Sequence, residues 1–204
     1  MEALRSPTQL LENTWVYRLW QAPFAETKWA PISRLNDLSH TGRVLDVGCG
    51  PGTNTRYFLD QDYLGVDINE DYIAYARKRF GKSFVTADVT RWQSDKGPFD
   101  FVLLNSFLHH IDDQGCRTIL KKLQGLLDEA GSIHILDLVL PDETSVARSL
   151  ARADRGGHAR PLNQWLDLFS EYFEPTHIEP YSISLFGIDL WKMVYFRGRL
   201  PATK

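Results

Sequence analysis

Residues 43–55 read RVLDVGCGPGTNT, with three glycines and a proline in five positions directly behind an apolar run. VLDVG (44–48) predicts a short buried strand. Glycines that follow a strand let the chain turn with positive φ and bring its backbone close to a ligand. Gly48, Gly50 and Gly52 supply such a turn. Spacing excludes two common uses of it. A dinucleotide fingerprint, G-x-G-x-x-G, would need glycine where Thr53 stands, and no G-K-[ST] follows to make a P-loop.

Working outward from this turn, strand and helix patterns alternate. TNTRYFLDQ (53–61) reads as a helix, YLGVDI (63–68) as a strand and EDYIAYARKRF (70–80) as a helix. SFVTADV (83–89) and FDFVLLNS (99–106) are further strands, nearly continuous in apolar character, as parallel strands buried on both faces are. Cys116, Ile119, Leu120, Leu123, Leu126 and Leu127 recur at helical spacing, and GSIHILDLVL (131–140) follows as a fifth strand. HIEPYSISLF (177–186) and IDLWKMVYFRG (188–198) are separated only around Gly187, too short a gap for a crossover helix, so they predict an antiparallel hairpin. The fold class is α/β: a Rossmann-like, seven-stranded, mostly parallel sheet with helices on both faces, ending in that hairpin.

Composition fits one domain. The chain has 204 residues, 43% of them hydrophobic and 12% aromatic, enough for one real core and cramped for two. A net charge of −3 and a pI near 6.1 lack the basic footprint of a general nucleic-acid binder. Cys49 and Cys116 match no metal spacing and make no disulfide framework, so a reducing compartment is expected. MEALRSPTQLLENTW has no apolar signal core, and no run of about 18 apolar residues could span a bilayer. The expectation is a soluble cytoplasmic protein.

In an open parallel sheet, ligands bind beyond the carboxyl ends of the strands where the strand order reverses. Asp67 ends the second strand, where a carboxylate can accept both hydroxyls of a ribose. Asp88, at the end of the third, can accept from an adenine amine, and Val89 offers a backbone N–H.

At these residues the sequence resembles the class I S-adenosylmethionine (SAM) dependent methyltransferases. The likeness covers roughly residues 40–140, with VLDVGCGPG, GVDIN, ADV and FDFVLLNSFLHHI matching four motifs in order. The resemblance implies that Asp46, Gly48, Gly50 and Gly52 line the methionine part of SAM. It places Asp67 on the ribose, Ile68, Asp88 and Val89 around the adenine, and Asn105 and Ser106 facing the sulfonium. The product would be S-adenosylhomocysteine. A protein that keeps SAM without transferring its methyl group is the alternative from another class.

Methyl transfer is an in-line displacement in which positioning supplies much of the rate, so a base is optional. If one acts, NSFLHHIDD is its source: His110 and His109 follow the fourth strand, near Asp112 and Asp113. Adjacent histidines on a helical turn point about 100° apart, so no metal is expected.

Two segments flank the core. ENTWVYRLWQAPFAETKW (12–29) reads as an aromatic helix that packs on the sheet or, with Arg18, closes over the site. It belongs to an N-terminal lid or cap over 1–38. SVARSLARADRGGHARPLNQW (145–165) lies within a lid segment over 141–175 and concentrates Arg148, Arg152, Arg155, His158 and Arg160 against Asp154. With Asp137 near the end of the fifth strand, Arg18, Arg152, Arg155 and Arg160 are the candidate substrate contacts, and their charge favours an anionic acceptor. NSFL is unlike the Asn-Pro-Pro-Tyr tetrapeptide of nucleic-acid amino-methyltransferases, which favours a small-molecule acceptor over tRNA or rRNA. The choice among O-, N- and C-methylation stays open, as does oligomeric state.

Overall fold

A computed structural model describes residues 24–154 and 156–202. The chain enters through α1 (Ala25–Leu35) and continues through β1 (Arg43–Val47), β2 (Asp62–Asp67), α2 (Glu70–Phe80), β3 (Ser83–Thr86) and β4 (Phe99–Asn105). It then forms α3 (Asp113–Gln124), β5 (Leu127–Val139), α4 (Val146–Ala153), α5 (Leu162–Ser170), β6 (Glu174–Leu185) and β7 (Ile188–Arg199). The sheet order is β3-β2-β1-β4-β5-β7-β6, with β1 to β5 parallel, and β7 antiparallel to both β5 and β6. The order reverses between β1 and β4, where the glycine turn leaves β1.

Both faces of the sheet are covered, which is why its strands are apolar throughout. Leu45, Val47, Val102 and Leu104 point to one face, under Ile119, Leu120 and Leu123 of α3 and Trp165 and Phe169 of α5. Their strand neighbours Val44, Phe101 and Leu103 point to the other, under Trp29 and Ile32 of α1 and Ile73 and Ala76 of α2. The helices begin on side-chain caps. Asn69 accepts from the Tyr72 N–H at the start of α2, and Asp112 from the Gly115 N–H at the start of α3. Among the described residues no helix is long and apolar enough to cross a membrane.

The structure departs from the sequence reading between β1 and β2. In place of a helix over 53–61 there is one 3₁₀ turn, Thr55–Tyr57, held by i→i+3 bonds such as Tyr57 N–H to Asn54 O (3.0 Å). Tertiary packing overrides helical spacing here: Phe58 is fully buried against Trp29, Tyr63 and Phe101, and Tyr57 stacks on Trp29 at 4.2 Å. α1 thus braces a segment that has no helix of its own. Leu126 and Leu127 also fall outside α3, and Leu127 opens β5.

α5 is pinned by one polar contact. The buried Trp165 indole donates to the Leu138 carbonyl at the end of β5 (2.8 Å). Trp165→Phe leaves that carbonyl unpaired and removes a ring, and should lower the unfolding free energy by about 1–3 kcal/mol with the fold retained. Urea denaturation checks this; an unchanged midpoint would mean that apolar packing alone seats α5.

Candidate active site

Asp67 organises the carboxyl edge of the sheet. Its two oxygens accept from the Gly50 N–H and the Asn69 N–H, both at 2.8 Å, and so tie the glycine turn to the start of α2. The turn is further fixed by Gly48 and Cys49, whose N–H groups both reach the Val66 carbonyl, and by Gly52 N–H to Cys49 O. Gly48 has φ +70°, and a Cβ there would lie 2.4 Å from the Phe107 ring. Gly50 has φ +54° with nothing within 4 Å of the position a Cβ would take, so the backbone faces open space. Only glycine gives both this curvature and this access.

Two hollows meet at Gly48. One is lined by Asp67, the exposed Ile68, Asp88, Val89, Phe107 and Ile111. Within it Asp88 commits one oxygen to the Thr90 N–H and hydroxyl (2.9 and 2.7 Å), bonds that lower its pKa, while Val89 is buried. The other is lined by Lys28, Cys49, Asn54, Arg56, Asn105 and Ser106. Asn105 donates to Asn54 (3.0 Å), and Asn54 and the Tyr63 hydroxyl both donate to Asp46 Oδ2 (3.3 and 2.8 Å). Asp46 Oδ1 is buried without a hydrogen-bond partner. Burial pushes the Asp46 pKa up to about 7 against the pull of Tyr63 and Asn54.

Lys28 was not among the expected site residues. It comes from α1 and donates to the Ser106 hydroxyl at 3.2 Å, and Ser106 itself has φ +55°. Burial lowers its pKa to about 8, although the charges of Asp137 and Asp154 oppose the shift. No motif marks Lys28; the only hint in the sequence is its place beside the apolar Trp29, which anchors α1.

The histidines and the flanking charges sit differently from expectation. His109 and His110 occupy the 3₁₀ turn Leu108–His110, and neither lines the two hollows. His109 is buried, with Nδ1 2.6 Å from Asp137 and Nε2 3.3 Å from Asp154. Burial alone would lower its pKa, but the two carboxylates outweigh this and raise it to about 9. Both ring nitrogens of His109, the first base considered beside His110, are thus engaged by carboxylates. His110 is exposed, its ring 4.2 Å from that of His109.

Asp137 and Arg160 are also corrected as substrate contacts. Asp137 is fully buried and takes the Leu108 N–H, the Leu138 N–H and His109, leaving no face for an acceptor. Arg160 is buried over Trp165 and spends its guanidinium on Asp113, His158 O and Ile111 O. Both charges are structural because the interior demands a partner for each. Arg152 is exposed on α4, and Arg148 reaches the Pro141 carbonyl. Arg18 and Arg155 lie outside the described residues.

Residues 44–131 match the family model described as a methyltransferase domain. Trans-aconitate 2-methyltransferase of Rhizobium etli is 30% identical over 139 residues, which cover 66% of this chain and 50% of that protein. An uncharacterized methyltransferase of Mycobacterium tuberculosis is 35% identical over 103 residues, 48% of this chain and 51% of its own length. The N-methyltransferase NodS of Bradyrhizobium japonicum, solved in complex with S-adenosylhomocysteine, superposes with a TM-score of 0.69 at 18% identity over 88% of each chain. Residues 44–131 thus match a methyltransferase domain, and the chain shares its fold with solved methyltransferases. It spans about half the length of the curated relatives it matches.

The residues present fit SAM, the cofactor of such a domain: Asp67 stands beside a backbone turn open at Gly50, Asp46 Oδ1 is a buried oxygen without a hydrogen-bond partner, and Lys28 lines the hollow next to Ser106.

Asp46 also sets a pH signature. Its folded pKa, about 7, stands above the unfolded 3.8, so the folded state binds the extra proton between these values. Its contribution to stability must then fall as pH rises from about 4 to 7. Asp46→Asn should flatten that slope, by on the order of a few kcal/mol across the window. Urea unfolding of both proteins at pH 5 and pH 8 measures it, and parallel pH profiles would show that Asp46 ionises freely.

Proposed function

We propose that this protein transfers a methyl group from SAM to a small-molecule acceptor bearing a carboxylate. The observation that carries the reading is Asp67. It is held by two backbone donors at the strand switch point, beside a glycine turn open to a ligand. Bound SAM supplies a methyl group already activated by its sulfonium. On this reading Asp67 takes the ribose hydroxyls, with Ile68, Asp88 and Val89 around the adenine. Lys28, beside Ser106 and Asn105, holds a carboxylate at the methionine end. S-adenosylhomocysteine is the product.

One feature supports an anionic acceptor: relatives named trans-aconitate 2-methyltransferase act, as that name says, on a polycarboxylic acid. The expected arginine cluster gives less support, since Arg160 is consumed by internal partners. A carboxylate nucleophile also needs no base, which agrees with hollows that neither histidine lines. Catalysis is then positioning. The free, buried thiols of Cys49 and Cys116 suit a reducing cytoplasm.

Methyl-labelled SAM offered with a panel of di- and tricarboxylic acids and their neutral esters should label the acids alone. Label on neutral amines or alcohols would remove the carboxylate, and label on RNA would replace the acceptor class. S-adenosylhomocysteine binding without any transfer would favour a non-catalytic SAM-binding protein. In calorimetry, Asp67→Ala should weaken S-adenosylhomocysteine by about 1.5–3 kcal/mol, the range for lost hydrogen bonds to a charged group. Equal affinity would remove the ribose assignment.

Lys28 adds a pH dependence. Its charge is lost as pH rises through about 8, so KM for SAM should climb above that pH while kcat stays flat. Lys28→Ala should show about a tenfold higher KM with no such climb. A kcat that rises instead with a single ionisation would point to a general base.

A further inference from the structure

The turn that carries the two histidines holds a feature the methyltransferase reading leaves unused. His109, His110 and Asp154 present one ligand atom each, all within 4.8 Å of one another. The two histidines come from the turn after β4, and Asp154 from the end of α4, so the cluster joins the sheet to the flanking segment. Sequence spacing argued against a shared metal, yet the two rings pack together and the third group arrives from 44 residues away. We propose that His109, His110 and Asp154 bind a divalent transition-metal ion of the zinc type, with the fourth position left to water.

Geometry and chemistry both support this site. Ligand atoms about 2.0–2.2 Å from a tetrahedral zinc lie about 3.3–3.6 Å apart, and His109 Nε2 is already 3.3 Å from Asp154 Oδ1. His110 is exposed and already offers a ring nitrogen within 4.8 Å of both other ligand atoms. Asp137 grips His109 Nδ1 at 2.6 Å and is itself fixed by two backbone N–H groups, the outer support that metal-binding histidines use to set tautomer and orientation. Asp154 is steadied in turn by the Gly156 N–H at 2.8 Å. Gly156 packs so closely on the turn that a Cβ would lie 2.4 Å from the His109 carbonyl, and the His158 N–H bonds that same carbonyl. A bound divalent ion takes the place of the proton that His109 otherwise carries on Nε2, which is released to solvent; the imidazoles are then neutral and the charges of Asp137 and Asp154 sum to −2, which the cation balances. Two imidazoles and one carboxylate suit zinc or cobalt better than calcium or magnesium.

The metal would hold the end of α4 against the turn after β4. His109, His110 and Asp154 line neither hollow of the proposed methyl transfer, and the test of this site needs no activity.

Cobalt(II) is titrated into the metal-stripped protein and followed in the visible. Zinc affinity is then measured by competition with a chromophoric chelator. One equivalent of cobalt should bind with the intense d–d bands of a four-coordinate site, and zinc should displace it. His110→Ala and Asp154→Asn, at exposed and half-exposed positions, should each weaken zinc at least tenfold with near-UV circular dichroism unchanged. Asp137→Asn should weaken zinc by about 10- to 100-fold, as loss of an outer partner does. If stoichiometric cobalt binding is absent, or both ligand variants bind zinc like the parent, the cluster is only a protonated His109 between two carboxylates.

Discussion

Two hydrogen bonds to one carboxylate hold the glycine turn of this molecule to the start of α2. Asp67 receives the Gly50 and Asn69 N–H groups, so the turn after β1 and the first residue before α2 cannot move apart without stranding two backbone donors. A parallel sheet covered on both faces leaves its chemistry only at the strand ends, and there the backbone must change direction. Asp67 satisfies the donors that this change exposes. It also remains open enough to accept from a ligand, and the space beside Gly50 is what the ligand would fill. Loop order and binding capacity thus rest on the same side chain.

A second buried carboxylate does for β4 and β5 what Asp67 does for β1 and β2. Asp137 collects the Leu108 and Leu138 N–H groups and His109, and His109 passes the connection to Asp154 beyond α4. Arg160 completes the frame by joining Asp113, Ile111 and His158 over the Trp165 ring. These groups are charged yet buried, and each is paired because an unpaired charge would cost far more than the pairing returns. Lys28 and Arg56, by contrast, line the hollow beside Ser106, with Arg56 paired to Glu26.

The sheet was legible because a strand buried on both faces writes itself as an apolar run, and the hairpin because Gly187 leaves no room for a crossover helix. Asp67 and the glycine turn were legible because both follow strand ends directly. The helix expected over 53–61 failed for a reason outside its own residues: Phe58 and Tyr57 are held by Trp29 of α1. Lys28 was invisible for the same reason, since it is brought to Ser106 by the packing of α1 and by Tyr181, whose hydroxyl donates to its carbonyl. Asp137 and Arg160 were read as ligand contacts because a sequence shows a charge but not whether the fold has already paired it.

The most direct test of the account is an amide map of the protein titrated with S-adenosylhomocysteine, by heteronuclear NMR. The cradle described here requires saturable shifts concentrated at residues 48–52, 67–69 and 88–90, with Gly50 and Asn69 among the largest. Saturable shifts that spare those three stretches, or none in a folded sample, would contradict it.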